Sequence, residues 1–429
     1  MKDPNKNRPG YKKTKVGWIP NEWDCLHLKD VCEGPGGKYG ACASSTEYSQ
    51  ESPRYIRITD ISNDGSLVEH GKTSIAPELA EKYLLNPGDF LFARTGATVG
   101  KTYLHERNIG HYAFAGYLIR FIPDKISLIG KFLKAYTHTE RYYYWIHSIL
   151  HAGAQPNINA REYGSLSVPI PALPEQKNIA EILSTWDKAI EQTRKLIDAK
   201  KSRKKALMQQ LLTGKKRLPG FAKSHRYESY RFFELPIDWE CTQIRDIATE
   251  SSERNKNRED ITVFACSKHR GFVKSSEYFG KRIFSQDTSN YKIIRRDWFG
   301  FPANHVEEGS IGLLQCHDIG IVSPIYIVFN VSDCVIPEYL YAVLKTDTFR
   351  HIFAISTNAS VDRRGSLRWR EFSLIRVPLP SLPEQQAITK VLSAADDEII
   401  QEEHKLKAMK KQKRGLMQKL LTGTIRVLN

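Results

Sequence analysis

The stretch L-P-E-Q-K-N-I-A-E-I-L-S begins at Leu173, and it continues without a break to M-Q-Q-L-L-T-G, which ends at Gly214. The chain repeats this pattern 209 residues later, from L-P-E-Q-Q-A-I-T-K-V-L-S at Leu382 to M-Q-K-L-L-T-G at Gly423. Aligned without gaps, the two copies are identical at 20 of their 42 positions. Because each copy follows a longer and unlike segment, the sequence predicts a molecule of two parts that end in the same element.

Both copies have the pattern of a long helix. Pro174 and Pro383 lie where a helix tolerates a missing N–H group, and Gly214 and Gly423 are typical of helix ends. About 40 residues at 1.5 Å per residue give a helix of roughly 60 Å, which is longer than one domain core requires. The apolar positions step by three and four, as in a coiled coil. They are Ile179, Leu183, Trp186, Ile190, Ile197, Leu207 and Leu211 in the first copy, and Ile388, Leu392, Ala395, Ile399, Leu406, Met409, Leu416 and Leu420 in the second. We therefore expect the two helices to lie antiparallel against each other.

Polar residues interrupt this apolar seam. They are Thr193, Lys200, Lys204, Glu402 and Lys413. Such residues either fix the register or mark where other subunits cover the helices, and the sequence leaves both interpretations open. The first copy also carries a run of basic residues over positions 200–205, which indicates a DNA contact only if that helix face lies near phosphates.

Shorter similarities mark the ends of the two parts. W-I-P-N-E-W from Trp18 matches L-P-I-D-W from Leu235, and R-E-Y at Arg161 matches R-E-F at Arg370. Between these ends the two parts show no similarity that we can align. Runs of β-branched and aromatic residues at 55–59, 90–93, 263–265 and 321–329 predict strands, and residues 128–147 and 337–355 predict helices. The expected fold is α+β: two globular domains joined by two long antiparallel helices in a coiled coil, with a pseudo-two-fold internal repeat.

These patterns predict the following boundaries. They are a basic N-terminal tail at 1–16, a first globular domain at 17–172, a central helix at 173–214, a linker at 215–232, a second globular domain at 233–381, a C-terminal helix at 382–423 and a tail at 424–429.

Composition restricts the classes of function. The chain of 429 residues carries a net charge of +16, which favours a polyanionic partner. It has no run of 18 or more apolar residues, so we expect no membrane partner and a cytoplasmic location. Its seven cysteines are scattered without a C-x-x-C pair, so neither structural zinc nor a disulfide framework is indicated.

The motifs that suggest catalysis are all incomplete. G-A-T-V-G-K-T from Gly96 resembles a phosphate-binding P-loop, but it is one residue short between its glycines. His147 and His151 lie one helical turn apart without a third metal ligand in view. Glu403-His404-Lys405 resembles part of a nuclease site, but it lies on the predicted C-terminal helix. We therefore predict no catalytic residue and no metal site.

Polar residues in turn-rich places of both domains have the chemistry needed to read base pairs. Arg and Lys hydrogen-bond guanine edges, and Asn and Gln hydrogen-bond adenine edges. The candidates are Arg94, Thr95, Lys101, Gln155 and Asn157 in the first domain, and Lys268, His269, Arg270, Asn304, His305, Arg363 and Arg364 in the second.

On these residues the chain resembles the specificity subunit of a type I restriction–modification enzyme. The resemblance rests on the paired L-P-E-Q…L-L-T-G helices and on the P-x-x-W openings at Pro20 and Pro236. The first domain adds Y-I-R-I-T-D-I from Tyr55 and G-D-F-L-F-A-R-T-G from Gly88. The second domain lacks these two signatures and resembles a different subtype, so contacts do not transfer one to one between the domains.

The resemblance implies a complete set of partners. Each domain would read one half of an asymmetric, bipartite target in double-stranded DNA. The helices would set the unread spacer and bind two methyltransferase subunits that use S-adenosylmethionine, and two motor-nuclease subunits would use ATP and Mg²⁺. The chain itself would bind no cofactor. Two alternatives are an adaptor from a related defence system and a scaffold whose domains bind no DNA.

Overall fold

The computed structural model describes residues 5–34, 36–150, 156–222, 224–257, 259–357 and 366–427. The chain divides into two compact units, residues 1–194 with 404–429 and residues 195–403. The two long helices span Leu173–Leu211 and Leu382–Leu421. Each unit therefore contains one globular part and a portion of both long helices.

The first unit mixes strands and short helices. Its strands are Tyr11–Thr14, Gly17–Pro20, Asp24–His27, Lys38–Tyr39, Thr46–Glu47, Arg54–Ile56, Thr73–Ser74, Phe90–Ala93, Thr102–Leu104, Tyr112–Phe114, Leu118–Phe121 and Ser167–Ile170. Its shorter α-helices are Pro77–Ala80, Gly130–Tyr136, Glu140–Ile149 and Ala160–Gly164, and its 3₁₀ helices are Leu28–Val31, Ile58–Asp60, Glu81–Tyr83 and Gly96–Thr98.

The second unit has the same mixture. Its strands are Tyr227–Ser229, Glu234–Pro236, Glu240–Gln243, Ala248–Ser251, Phe264–Ser267, Gly271–Lys274, Lys292–Arg295, Phe299–Pro302, Gly312–Leu313, Ile319–Val322, Tyr326–Val331 and Arg376–Leu379. Its shorter helices are Ile244–Ile247, Ser275–Phe279, Pro337–Leu344, Asp347–Ser356 and Trp369–Phe372, with a 3₁₀ turn at Val306–Glu308.

A four-stranded antiparallel sheet recurs in both units, although their sequences do not align there. In the first unit the order is Lys38–Tyr39, Leu118–Phe121, Phe90–Ala93 and Thr102–Leu104. In the second unit it is Ala248–Ser251, Tyr326–Val331, Phe299–Pro302 and Gly312–Leu313. Backbone hydrogen bonds define this sheet, so the side chains on its buried face need only be apolar and of suitable volume. The repeat therefore extends into the middles of the domains, where sequence comparison did not detect it.

Several predicted elements differ from the observed ones. The predicted helix at 128–147 is two helices, and the second begins where the Thr139 hydroxyl caps it by accepting a hydrogen bond from the Tyr142 N–H. Likewise, the predicted helix at 337–355 is two helices, and the Thr346 hydroxyl caps the second by accepting a hydrogen bond from the Phe349 N–H. The predicted strand at 321–329 is interrupted by a turn in which the Tyr326 N–H donates to the Ser323 carbonyl. Strands at Tyr11–Thr14 and Tyr227–Ser229 lie in segments that the sequence assigns to a tail and a linker.

The glutamine of each L-P-E-Q motif is buried and connects the start of its long helix to neighbouring loops. The Gln176 side chain accepts from the Ile129 N–H at 2.9 Å and donates to the Ser127 and Pro171 carbonyls. Gln385 repeats this pattern with the Ile336 N–H and with the carbonyls of residues 334 and 380. Each glutamine thus fastens the start of a long helix to the loop beside it by satisfying buried backbone groups.

The neighbouring glutamate joins three segments of its unit. Glu175 accepts from the Trp23 indole at 3.0 Å and from Arg426, which follows the second long helix, at 2.8 Å. In the second unit Glu384 accepts from Trp239 at 3.0 Å and from Arg217 at 2.6 Å. The P-x-x-W openings recur because their tryptophans are donors to these carboxylates.

The glycine after each long helix is required by close packing. Gly423 has a φ of +68°, and a Cβ atom there would lie 2.4 Å from the Pro20 ring. Gly214 has the same φ and would place a Cβ 2.5 Å from Pro236. A larger residue would be strained in this left-handed conformation and would push the helix end away from the P-x-x-W opening.

Within each unit the two helical segments run antiparallel. In the first unit Lys413 pairs with Asp187 at 2.5 Å, and the Thr193 hydroxyl lies 3.6 Å from the Met409 sulfur. In the second unit Lys204 pairs with Asp396 at 2.5 Å, which is the same ion pair at the equivalent positions of the repeat. Seam residues in both units are buried or half-buried. Among the described residues, no helix is long and apolar enough to cross a membrane.

Candidate nucleic-acid interface

Arg94 lies at the end of the buried strand Phe90–Ala93. Its N–H donates to the Tyr117 carbonyl at 3.0 Å, and its own carbonyl accepts from the Ile158 N–H at 2.9 Å. Because neighbouring segments hold the backbone on both sides, the position from which the Arg94 side chain projects is fixed by the sheet.

The Arg94 side chain is held as well. Its Nε donates to Asn157 Oδ1 at 3.3 Å, and its guanidinium lies over the Tyr39 ring, 4.8 Å from the ring centroid. The Tyr39 hydroxyl in turn accepts from the Ala160 N–H at 3.1 Å. Sequence reasoning selected Arg94 and Asn157 but missed Tyr39, because nothing local to residue 39 indicates a partner 55 positions further along the chain.

The other described candidates of the first domain, Lys101 and Thr95, contact backbone groups of their own domain. The Lys101 ammonium donates to the Ile61 carbonyl at 3.0 Å and is half-buried. Thr95 is half-buried and bridges Asn157 through the backbone. The P-loop-like segment forms a 3₁₀ turn over Gly96–Thr98, and its lysine is directed to a backbone carbonyl. Gln155 lies outside the described residues.

In the second domain, Lys268, His269 and Arg270 form an exposed turn between two strands. The Lys345 ammonium donates to the Lys268 carbonyl at 2.6 Å and to the Gly309 carbonyl at 2.8 Å. Burial lowers the pKa of Lys345. Lys345, which sequence reasoning missed, thus fastens this turn to the loop that follows Val306–Glu308.

Asn304, another candidate of the second domain, lies beside an open cavity. Asn304 is one of the residues that line this cavity of about 730 Å³, together with Glu250, Ala303, Ser366, Arg368, Trp369 and Arg370. His305 Nδ1 lies 3.3 Å from Glu308 Oε1, and the ligand atoms of His305, Glu307 and Glu308 lie within 4.8 Å of one another. Arg363 and Arg364 lie outside the described residues.

The two domains present different side chains at the same place in their frameworks. The Leu367 N–H donates to the Ala303 carbonyl at 2.7 Å, as the Ile158 N–H donates to that of Arg94. Ala303 therefore occupies the position of Arg94. A one-to-one transfer of contacts between the domains fails at this position, as expected from their different sequence signatures.

The basic run of the first long helix is not a free cationic face. Lys200, Lys201 and Lys204 pair with acidic residues of the second long helix, at 2.7, 2.7 and 2.5 Å. Lys205 pairs with Asp347 at 2.9 Å. Lys200, Lys201 and Lys204 thus help to hold the two helical segments of the second unit together, and the charge of these paired lysines is no evidence for phosphate binding.

The two units thus share a sheet framework and carry different side chains, Arg94 and Ala303, at equivalent strand ends. The family model for the type I restriction–modification DNA specificity domain matches the chain twice, at residues 20–199 and 236–411. The chain therefore belongs to the family of type I restriction–modification specificity subunits, which are recognition subunits without catalytic activity. This confirms the resemblance identified from the sequence.

Relatives extend over nearly the whole chain. Two type I restriction enzyme specificity subunits of Methanocaldococcus jannaschii, MjaX and MjaVIII, are 26% and 22% identical. The matches cover 97% and 96% of this chain, and 97% and 95% of the relatives. The HsdS subunit from Thermoanaerobacter tengcongensis has a similar fold, with a TM-score of 0.52 at 15% identity over 95% of this chain and 98% of that one. A chain from a structure of type I restriction–modification complex assembly gives a TM-score of 0.56 at 14% identity, covering 95% of this chain and 99% of that one.

Proposed function

We propose that this chain selects the DNA sequence for a type I restriction–modification complex, and that each domain reads one half of an asymmetric, bipartite target. The observation that carries the proposal is the shared sheet framework with Arg94 in one domain and Ala303 at the equivalent place in the other. Two readers with a common framework and different side chains would recognise different half-sites. The net charge of +16 suits an anionic duplex.

We further propose that the two long helices form a coiled coil that sets the length of the unread spacer and binds two methyltransferase subunits. Helices of 39 and 40 residues correspond to about 60 Å at 1.5 Å per residue. Two motor-nuclease subunits complete the complex. The chemistry resides in these partners, which use S-adenosylmethionine, ATP and Mg²⁺, and this chain binds no cofactor. The complex acts in the cytoplasm.

Mapping of methylated adenines in the native genome, with and without this gene, tests the proposal. We expect an interrupted, non-palindromic motif whose methylation disappears when the gene is deleted. A continuous palindromic motif, or no motif that depends on the gene, would contradict it.

Two further measurements separate the alternatives. Co-purification of the chain with a methyltransferase encoded beside it distinguishes a restriction–modification subunit from an adaptor of another defence system. A pure scaffold predicts no salt-sensitive DNA binding even when those partners are present. Loss of binding with rising salt, in proportion to the phosphates contacted, supports the DNA-reading function.

A further inference from the structure

Arg94 differs from several other arginines of the first unit in what its guanidinium contacts. Arg57, Arg107 and Arg120 each pair with a carboxylate of the first unit, at 3.0, 2.8 and 3.2 Å. Arg94 makes no ion pair within the described residues. Its Nε is used by Asn157 and one face is covered by Tyr39, whereas Nη1 and Nη2 have no hydrogen-bond partner among the described residues. The side chain is therefore held on two sides, while the end of its fork has no partner in the part of the chain that the structure describes.

This arrangement suits one kind of ligand. Nη1 and Nη2 form a planar pair of donors that matches two acceptors lying in one plane. In the major groove, O6 and N7 of guanine are such a pair, and arginine bound to both is the commonest base-specific contact. A phosphate can also accept two hydrogen bonds from a guanidinium, but its acceptors lie in several directions, so it depends less on a guanidinium plane that is held in advance. Holding the plane in advance also reduces the side-chain entropy lost on binding.

We propose that Arg94 reads one guanine of the half-site recognised by the first domain, and that Tyr39 and Asn157 are positioning residues that hold its guanidinium for that contact. This inference rests on the proposed function. The second domain has Ala303 in the equivalent place, so it has no counterpart of this reader.

The test uses the full chain in complex with its methyltransferase subunits and starts from the methylated motif. Each guanine in both half-sites is replaced in turn by 7-deazaguanine, which lacks the N7 acceptor, and binding is measured by competition. At one guanine of one half-site, we expect wild-type affinity to fall several-fold, by less than the roughly 5- to 140-fold expected for loss of a whole bidentate contact, because only the N7 acceptor is removed. The Arg94→Ala complex should bind the modified and unmodified DNAs equally.

Variants of the positioning residues form the second part of the test. Tyr39→Leu and Asn157→Ala should each reduce the sensitivity to 7-deazaguanine at that same position, and neither should reduce it further in an Arg94→Ala background. Arg94→Lys keeps the charge but loses the planar fork that Tyr39 and Asn157 hold, so its sensitivity to 7-deazaguanine should fall below that of wild type and should no longer depend on Tyr39 or Asn157.

Arg107→Ala is the matched control. Arg107 also lies over a tyrosine, 5.7 Å from the Tyr112 ring centroid, but its fork is already bound to Tyr112 and Glu69. This variant should keep the wild-type response to 7-deazaguanine.

Two outcomes would overturn the inference while leaving the proposed function intact. In the first, wild type is insensitive to 7-deazaguanine at every position and still methylates a bipartite motif. In the second, Arg94→Ala weakens binding to all sequences equally and reduces the salt dependence, as loss of a phosphate contact would. Absence of any gene-dependent bipartite motif would instead refute the proposed function.

Discussion

At the scale of single residues, the carboxylates at the starts of the two long helices stabilise their units in an unexpected way. Glu175 and Glu384 lie in the first turn of each long helix, where the positive end of the helix dipole stabilises a carboxylate. In the structure both are buried, 4% and 2% exposed, and each binds a tryptophan and an arginine. Their partners lie far away in sequence, so only the tertiary fold reveals the second role.

We predict that Glu384→Ala strongly destabilises the second unit. The substitution leaves the Trp239 N–H without its acceptor and removes one carboxylate from Arg217, whose side chain is 7% exposed. Burial alone would lower the pKa of Arg217, but its hydrogen bonds to Asp238 and Glu384 raise it. Breaking a buried pair of this kind costs about 3 kcal/mol of unfolding free energy. Urea denaturation followed by tryptophan fluorescence measures this loss.

Glu403→Ala is the control for this prediction. Glu403 pairs with Lys201 at 2.7 Å, but about half of each side chain is exposed to solvent. An exposed pair contributes at most about 1 kcal/mol. If Glu384→Ala and Glu403→Ala lost equal amounts of unfolding free energy, the buried contacts of Glu384 would have no special role in stability.

We predict that His105 makes the stability of the first unit depend on pH. Its side chain is 1% exposed and shares a hydrogen bond with the Tyr103 hydroxyl at 3.1 Å. Burial lowers its pKa below the usual 6.5. As the pH falls below 6.5, the unfolded chain binds a proton that the folded chain resists, so stability decreases. His105→Gln should lose less stability than wild type between pH 7 and pH 5 in thermal unfolding; identical pH profiles would contradict this role.

At the scale of elements, the periodicity of apolar residues predicted the long helices but not the helix breaks or the shared sheet. Proline, glycine and the apolar spacing located the long helices, which end at Leu211 and Leu421, a few residues before the predicted glycines. The breaks at Thr139 and Thr346 were missed because a capping threonine resembles an ordinary helical position when the N–H group that donates to its hydroxyl is unknown. The shared sheet was missed because backbone pairing leaves little trace in side-chain identity.

Shortening both long helices by one heptad tests whether they determine the spacer. Removing seven residues keeps the apolar seam in phase and shortens each helix by about 10 Å. At 3.4 Å per base pair, the spacer should shorten by at most about three base pairs. Methylation mapping of a strain carrying the shortened gene measures the new motif. The deletions must be paired across the antiparallel register so that Asp187–Lys413 and Lys204–Asp396 both remain.

Two results would argue against the proposal that the long helices set the spacer length. One is an unchanged spacer in an active complex with both deletions. The other is normal activity when only one helix is shortened, because that change shifts the ion pairs out of register and should reduce complex formation.

At the scale of the whole molecule, the internal repeat makes the two domains separable in sequence. Residues 24 and 170 are paired across Asp24–His27 and Ser167–Ile170, so the ends of the first globular segment lie side by side. In the second unit, Glu240–Gln243 and Arg376–Leu379 form the same pair. The candidate contacts were only partly predictable, because residues such as Tyr39 and Lys345 act by holding other segments rather than through a local motif.

Exchange of residues 24–172 for the corresponding segment of another family member should therefore change one half-site and leave the other half-site unchanged. The cuts fall beside the paired strands, and they keep Trp23 with Glu175 and Arg426, so the joint to the long helices is retained. The donor must keep the loop whose backbone binds Gln176, at Ser127 and Ile129. Exchange of residues 240–381 is the matched control and should change only the opposite half-site. If either exchange altered bases in both halves of the methylated motif, the two domains would not read DNA independently.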